Sequence, residues 1–256
     1  MSVNLLEVKN MTMQFGGLKA VDSLSFSIPQ GQLSGLIGPN GAGKTTVFNM
    51  LTGVYRPTQG EVLLSGKNIV GMKPYEINHL GMARTFQNIR LFKNLSVLQN
   101  VLIATHQHIS YGLFDTAFLS KKFQNQETEM HAKALSLLKI FHLENKAHER
   151  ASSLPYGEQR KLEIVRAMAT DPILILLDEP AAGMNHAETH ELMKTIARIR
   201  HDFNLSILLI EHDMKLVMGI CENITVIDHG VKIDEGTPQK IQTSEKVIQA
   251  YLGVEA

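Results

Sequence analysis

The chain has one cysteine, Cys221, among its 256 residues. No internal disulfide can form, which fits a reducing compartment. Neither sign of charge is in excess: 25 Lys and Arg balance 25 Asp and Glu. That balance argues against broad nucleic-acid binding and leaves only a local basic patch as a route to it. Long apolar runs are missing too. The most apolar stretch, ILILL at 173–177, falls far short of the roughly 20 residues that cross a bilayer. The start, MSVNLLEVKN, lacks the basic-then-apolar layout of a signal peptide. The expectation is a protein soluble by itself, with docking on a membrane partner left open. Internal repeats, low-complexity linkers and coiled-coil heptads are likewise absent from the sequence.

What is present is a chain long enough to bury roughly three quarters of its unfolded surface. LLEVKNMTMQF and AVDSLSFSI read as two strands joined around Gly16-Gly17. QLSGLIG is a short apolar strand, VFNMLTG a helix closed by Gly53, GEVLLSGKNI a strand with a turn, KPYEINHLG a short helix and MARTFQ a strand. From Leu95 to about His148 the pattern is mostly helical, and another helix follows Gly157. Then come the buried strand ILILLDEP, a helix to His201, the buried strand SILLIEH, the short helix MKLVMGIC and a hairpin, NITVIDHGVKIDEG. Continuous apolar strands alternating with helices predict an α/β fold with a parallel sheet covered on both faces, preceded by antiparallel strands. The helical block reads as an insertion between two halves of the sheet.

GPNGAGKT at 38–45 matches the phosphate-loop pattern G-x-x-x-x-G-K-[ST], with a strand before it and a helix after. Backbone N–H groups must wrap a polyphosphate, and Gly38, Gly41 and Gly43 permit the close approach and unusual φ angles this needs. The intervening Pro39, Asn40 and Ala42 complete the nucleotide-binding loop. Lys44 supplies an ammonium for the β- and γ-phosphates, Thr45 a hydroxyl for Mg²⁺, and Thr46 a contact to the α-phosphate. ILILLDEP places Asp178 and Glu179 at the end of a buried strand, where carboxylates are costly unless used. Asp178 suits a water-mediated Mg²⁺ contact, and Glu179 suits polarising a water beside the γ-phosphate.

The order GPNGAGKTT, TFQ, LPYGEQRKLEIVRAM, ILILLDEP, EHD resembles the ATP-binding subunits of ABC transporters over essentially the whole chain. The resemblance implies a P-loop NTPase with a RecA-like core, an N-terminal antiparallel β subdomain and an inserted α-helical subdomain. Residues 1–87 and 156–256 would form the core and 88–155 the helical part. It also implies roles. Phe15 matches the aromatic that stacks on adenine, Gln87 the glutamine that reaches Mg²⁺ and the attacking water, and His212 the histidine that contacts the γ-phosphate. LPYGEQ matches the signature usually written LSGGQ, so Pro155, Tyr156, Gly157 and Glu158 would face ATP held by a second, head-to-tail ATPase subunit. Pro155 stands where the family has serine and offers neither a hydroxyl nor an N–H.

AAGMN at 181–185 lies where the family usually ends in aspartate; Asn185 can cap the next helix together with Glu188. The run ARTFQNIRLFKNLSVLQNVLIATH, the variant signature, DEPAAGMN and the ending QAYLG are most similar to one ATPase subunit of bacterial branched-chain amino-acid importers. That implies two membrane permease subunits as partners, a second ATPase subunit (a related chain, with a second copy as the alternative), a substrate-binding protein reached only indirectly, no nucleic acid, and a cytoplasmic location on the inner face of the cell membrane. A different cargo, such as lipopolysaccharide for export or a polar amino acid, is the alternative. A chromosome-type ATPase is disfavoured because no coiled coil is inserted and the cassette is not duplicated. His186 and His190 have metal-ligand spacing, but HAETH is not H-E-x-x-H, and a solvated helix face is the better reading.

Overall fold

The computed structural model describes residues 4–252. The first three residues of MSVNLLEVKN and the glycine ending QAYLG lie outside the described residues. In chain order the elements begin with β1 (Asn4–Phe15), β2 (Leu18–Pro29), β3 (Leu33–Ile37), α1 (Lys44–Leu51), β4 (Gln59–Leu64), β5 (Lys67–Asn68), α2 (Pro74–His79) and β6 (Met82–Arg84). The helices α3 (Val97–Thr105), α4 (Leu113–Ala117), α5 (Lys121–Ile140) and α6 (Tyr156–Met168) follow. The chain continues through β7 (Leu174–Asp178), α7 (His186–Asp202), β8 (Ser206–Ile210), α8 (Met214–Ile220), β9 (Asn223–Asp228), β10 (Val231–Gly236), α9 (Pro238–Gln242) and α10 (Glu245–Leu252).

Two compact units result. The first comprises the chain up to Arg84, Ile173–Pro180 and the chain from Ile196 onward. It holds an antiparallel sheet in the order β2-β1-β4-β5 and a six-stranded sheet in the order β10-β9-β3-β8-β7-β6. In the second sheet β9, β3, β8, β7 and β6 run parallel, and β10 returns antiparallel to β9. Every residue of β3, β7 and β8 is buried, as expected of strands covered on both faces. Fully burying each such Leu or Ile side chain contributes about 1.5–3 kcal/mol. The shared core runs from Leu6, Val8 and Ile28 of the antiparallel strands through Val47 and Phe48 of α1 to Leu176 and Leu208.

The second unit comprises Thr85–Pro172 and Ala181–Thr195. Its helices α3, α5 and α6 pack against one another around Leu137, Leu138, Leu162 and Val165. α3 starts at a reciprocal cap: Ser96 Oγ accepts from Gln99 N–H, and Gln99 Oε1 accepts from Ser96 N–H.

Three boundaries differ from the sequence reading. The strand in MARTFQ ends at Arg84, so Thr85, Phe86 and Gln87 leave the sheet. α1 starts at Lys44 rather than at Val47, because the phosphate loop feeds straight into the helix. α6 starts at Tyr156 with Pro155 as its N-cap, one turn position earlier than the glycine implied. In addition, α6 groups with the helical unit, whereas the sequence reading keeps 156–256 with the core. The packing of α6 on α3 and α5 is the physical reason.

Candidate functional site

The site begins with strand register. β3, β8 and β7 are successive parallel neighbours, with Asp178 opposite Ile210 and Ser34 opposite Leu208. The residues that follow each strand, Gly38, Glu211-His212 and Glu179, therefore emerge along one edge of the sheet. The carboxyl edge of an open parallel sheet is where such folds gather ligands.

Between β3 and α1 the loop 38–43 is tightly held. A Cβ at Gly38 would lie 2.0 Å from the Ile227 carbonyl oxygen, and one at Gly43, where φ is +100°, 2.6 Å from the Ala20 oxygen. Only glycine fits either place. Gly41 (φ +81°) has nothing within 4 Å of such a Cβ, so its requirement is conformational alone. Pro39 and Ala42 are buried, while Asn40 and Thr45 are exposed and Thr46 is half-buried. Gly230 N–H donates to the Ala42 oxygen, and Ala42 N–H to the Pro39 oxygen.

Lys44 is buried, and its ammonium donates to the Gly38 oxygen at 2.6 Å and the Pro39 oxygen at 2.9 Å. Burial pulls its pKa down, while the carboxylates of Glu179 and Asp178 work in the opposite direction. The ammonium thus lies in the field of both acidic residues singled out by the sequence.

Asp178 is buried at the end of β7 and pairs with Arg84 of β6, Nη2 to Oδ2, at 2.9 Å. The same guanidinium donates to Asn49 Oδ1 at 2.7 Å and Thr52 Oγ1 at 3.3 Å, and stacks 5.4 Å from the Phe48 ring centroid. One side chain therefore joins β6, β7 and α1. Arg84 was missed by sequence reasoning; its only signal is a charged residue inside an otherwise buried strand.

Glu179 sits in the left-handed region, φ +49°, a conformation costing an L-residue about 1–2 kcal/mol. Its N–H donates to the Ile210 oxygen at 2.9 Å, and its carboxylate Oε1 is in hydrogen-bond contact with His212 Nε2. The glutamate is largely covered and the histidine half-exposed. Phe15 ends β1, exposed, with its ring edge-on to Tyr55 at 5.5 Å between centroids. Tyr55 is a second aromatic that the sequence analysis did not single out.

Gln87 and the signature residues belong to the second unit. Gln87 is exposed, and its carbonyl accepts from Arg160 of α6. Arg160 also donates to the Phe86 oxygen at 2.7 Å and to the Tyr156 hydroxyl at 2.9 Å. Glu163, one turn on, accepts from Phe86 N–H at 3.4 Å and Arg90 N–H at 3.2 Å. Burial holds the Glu163 carboxyl above its ordinary pKa, against the pull of the Arg90 amide and the Arg160 charge. Arg166 donates to the Arg90 carbonyl and lies 5.0 Å from the Phe92 ring centroid.

At the start of α6, Pro155 makes no side-chain cap. The first intrahelical bond runs from Gln159 N–H to the Pro155 oxygen. The amides outside the helical ladder are therefore those of Tyr156, Gly157 and Glu158, where the sequence reading started from Gly157. The Glu158 carboxylate is drawn aside onto Lys146, 2.6 and 2.7 Å away; that hydrogen bond raises the Lys146 pKa. Tyr156 packs over Gly183, where a Cβ would come within 2.8 Å of the ring. Asn185 and Glu188 cap α7 reciprocally, each side chain accepting from the other's N–H at 3.0 Å.

Among the described residues no helix is long and apolar enough to cross a membrane. Comparison with known proteins adds the following. The ABC transporter family matches residues 21–182, and the Branched-chain amino acid ATP-binding cassette transporter family matches residues 232–256. The chain is 46% identical over 253 residues to the high-affinity branched-chain amino acid transport ATP-binding protein LivG of Escherichia coli K12, covering 99% of each chain. It is equally similar, over the same span, to BraF of Pseudomonas aeruginosa. Among solved structures, the ADP conformation of an ATP-binding cassette of an ABC transporter superposes with a TM-score of 0.85 at 30% identity, covering 98% of this chain and 100% of that one.

Proposed function

The chain belongs to the ABC transporter family of ATP-binding proteins, and from that premise we propose that it is the ATP-hydrolysing subunit of an importer for branched-chain amino acids. The observation that carries this reading is the convergence at one sheet edge. Lys44, Asp178, Glu179 and His212 meet there beside a loop in which glycine is sterically required. The full-length similarity to branched-chain amino acid transport proteins supports the cargo.

In this reading the loop amides and Lys44 hold the phosphates, Thr46 adds a contact to the α-phosphate, and Phe15 stacks on the adenine. Lys44 must release the Gly38 and Pro39 carbonyls that it contacts to reach the β- and γ-phosphates. Water attacks the γ-phosphorus, the bond to the ADP oxygen breaks, and the water's proton passes to Glu179. His212 orients that carboxylate and the γ-phosphate. The Thr45 hydroxyl and, through water, the Asp178 carboxylate are hard oxygen donors of the first unit. They fit Mg²⁺ and would hold it. When bound, the ion neutralises charge developing on the phosphates.

Pro155, Tyr156, Gly157 and Glu158 would receive the ATP of a second ATPase subunit, which we infer to be a related chain rather than a copy. Two permeases would dock near Gln87 and the Arg90-Leu91-Phe92 turn, placing the subunit on the inner face of the membrane. Asn100 fixes that turn: its Oδ1 accepts Phe92 N–H and its Nδ2 donates to the Phe92 oxygen. The test is ATP turnover by Glu179→Gln and His212→Ala subunits assembled with their partners. Loss of turnover by both, with nucleotide still bound, is expected; near-normal turnover in both sinks the assignment.

A further inference from the structure

We propose that the α4 segment of the second unit is a lipid-contacting surface: Phe114, Phe118 and Leu119 enter the interfacial region of an anionic membrane, and Lys121 and Lys122 meet its headgroups. The inference rests on the reading of this chain as a subunit held at a membrane face, and it assigns a surface that the ATP chemistry does not use.

Exposure singles this surface out. Among the described residues, Phe114 and Phe118 are the most exposed large apolar side chains, at 82% and 80%, and Leu119 follows at 59%. They are not scattered. Phe114 belongs to α4, and the Phe118 N–H donates to the Phe114 oxygen at 3.0 Å, one helical turn on. Residues four apart on a helical turn share a face, so the two rings stand side by side in water. Single exposed apolar residues are ordinary, whereas a contiguous group of them marks a contact surface.

The segment is folded back on α5 by its other aromatics, which leaves these rings outside. Tyr111 meets Phe123 of α5 edge-on at 5.0 Å between centroids, and its hydroxyl donates to Glu127 at 2.6 Å. Ser120 caps α5 by accepting the Phe123 N–H at 3.2 Å.

Charge selects the partner. Lys121 and Lys122 are exposed in the first turn of α5, directly after the apolar group. The carboxylates of the stretch are engaged within it. Asp115 accepts from the Gly112 N–H at 3.1 Å and the Ser120 hydroxyl at 2.8 Å, and Glu127 accepts the Tyr111 hydroxyl. Lysine is depleted from the cores of protein interfaces. Phenylalanine and leucine beside lysine is instead the composition of surfaces that lie in an anionic lipid interface.

The test is flotation of the full-length subunit with vesicles of phosphatidylglycerol and phosphatidylethanolamine, and with vesicles of phosphatidylcholine alone. Wild type is compared with the double variant Phe114→Ser/Phe118→Ser and with Lys121→Gln. The replaced side chains are exposed, so melting temperatures should stay close to wild type. Wild type is expected to bind the anionic vesicles, and the double variant to bind them more weakly by a factor of about ten or more. Lys121→Gln should weaken binding by about threefold to fivefold, as the loss of one lysine beside an anionic leaflet implies. Wild type that fails to bind anionic vesicles, or binds phosphatidylcholine equally well, overturns the proposal. Undiminished vesicle binding by the double variant overturns it too. If that variant instead loses only its co-purification with the permeases, the surface is a protein contact and the proposal falls. ATP turnover by the assembled complex decides the function proposed above independently of these outcomes.

Discussion

Arg84 offers the sharpest test of the physical reasoning. Arg84→Met keeps much of the side chain's bulk against the Phe48 ring but removes the guanidinium fork. Asp178 is left as a carboxylate with 2% of its side chain exposed. Breaking a buried pair by removing one partner costs about 3–5 kcal/mol, since the remaining charge is uncompensated. The field of Lys44, which reaches Asp178, and the retained packing put the expected loss near the bottom of that range, about 3 kcal/mol. For a chain of this size that corresponds to a melting temperature lower by roughly 6–12 °C. The assay is thermal unfolding of the nucleotide-free subunit, followed by circular dichroism, for wild type, Arg84→Met, Asp178→Asn and the double variant. Removing both charges should recover about 2 kcal/mol relative to the sum of the single changes, because no buried charge is then left alone. An Arg84→Met protein melting within about 1 °C of wild type would refute the argument. So would strict additivity in the double variant.

Two further outcomes follow from local chemistry. Pro155→Ser restores a hydroxyl where the signature helix has no side-chain cap, and a hydrogen bond to a charged phosphate is worth about 1.5–3 kcal/mol. ATP hydrolysis by the assembled complex should rise, and an unchanged or lower rate counts against the reading. Asp234 has a native pKa lowered to about 2 from 3.8, chiefly by the Lys240 hydrogen bond and then by Ser244. A depressed carboxylate pKa stabilises the fold above the unfolded value, and that stability is lost as pH falls from about 4 toward 2. Allowing for the exposed Lys240 end, the contribution is about 1–2 kcal/mol. Wild type should therefore melt above Asp234→Asn at pH 5, with the gap closing toward pH 2; a gap independent of pH would contradict the assignment.

The fold was legible where information is local. The runs LSGLI, LILLD and SILLI are each mostly apolar and buried, and became β3, β7 and β8. The glycine spacing of the loop and the Asn185–Glu188 cap were readable for the same reason, since each is contained in a few consecutive residues. What escaped depends on distant pairing. Arg84 and Asp178 are 94 residues apart, and neither neighbourhood announces the other. Arg160, Glu163 and Arg166 read as the polar positions of an amphipathic helix, yet two of them are buried and all three are spent on the backbone of residues 86–90. The start of α6 was misplaced because tyrosine and glycine are weak helix formers, and here the proline's fixed φ sets the first turn. The helices α9 and α10, five and eight residues long, were not read at all.

Arg160 carries one more implication. Its Nη1 donates to the Phe86 carbonyl, and its Nη2 donates both to the Gln87 carbonyl and to the Tyr156 hydroxyl. A planar group with its donors in a fixed fork ties these segments to one another. In the proposed cycle the start of α6 answers to the partner's nucleotide, and the Gln87 segment to the permease. Bolted to one plate, the two cannot report in sequence. In that cycle a displacement of one would carry the other, so news from the neighbouring subunit and news from the membrane would reach this chain together.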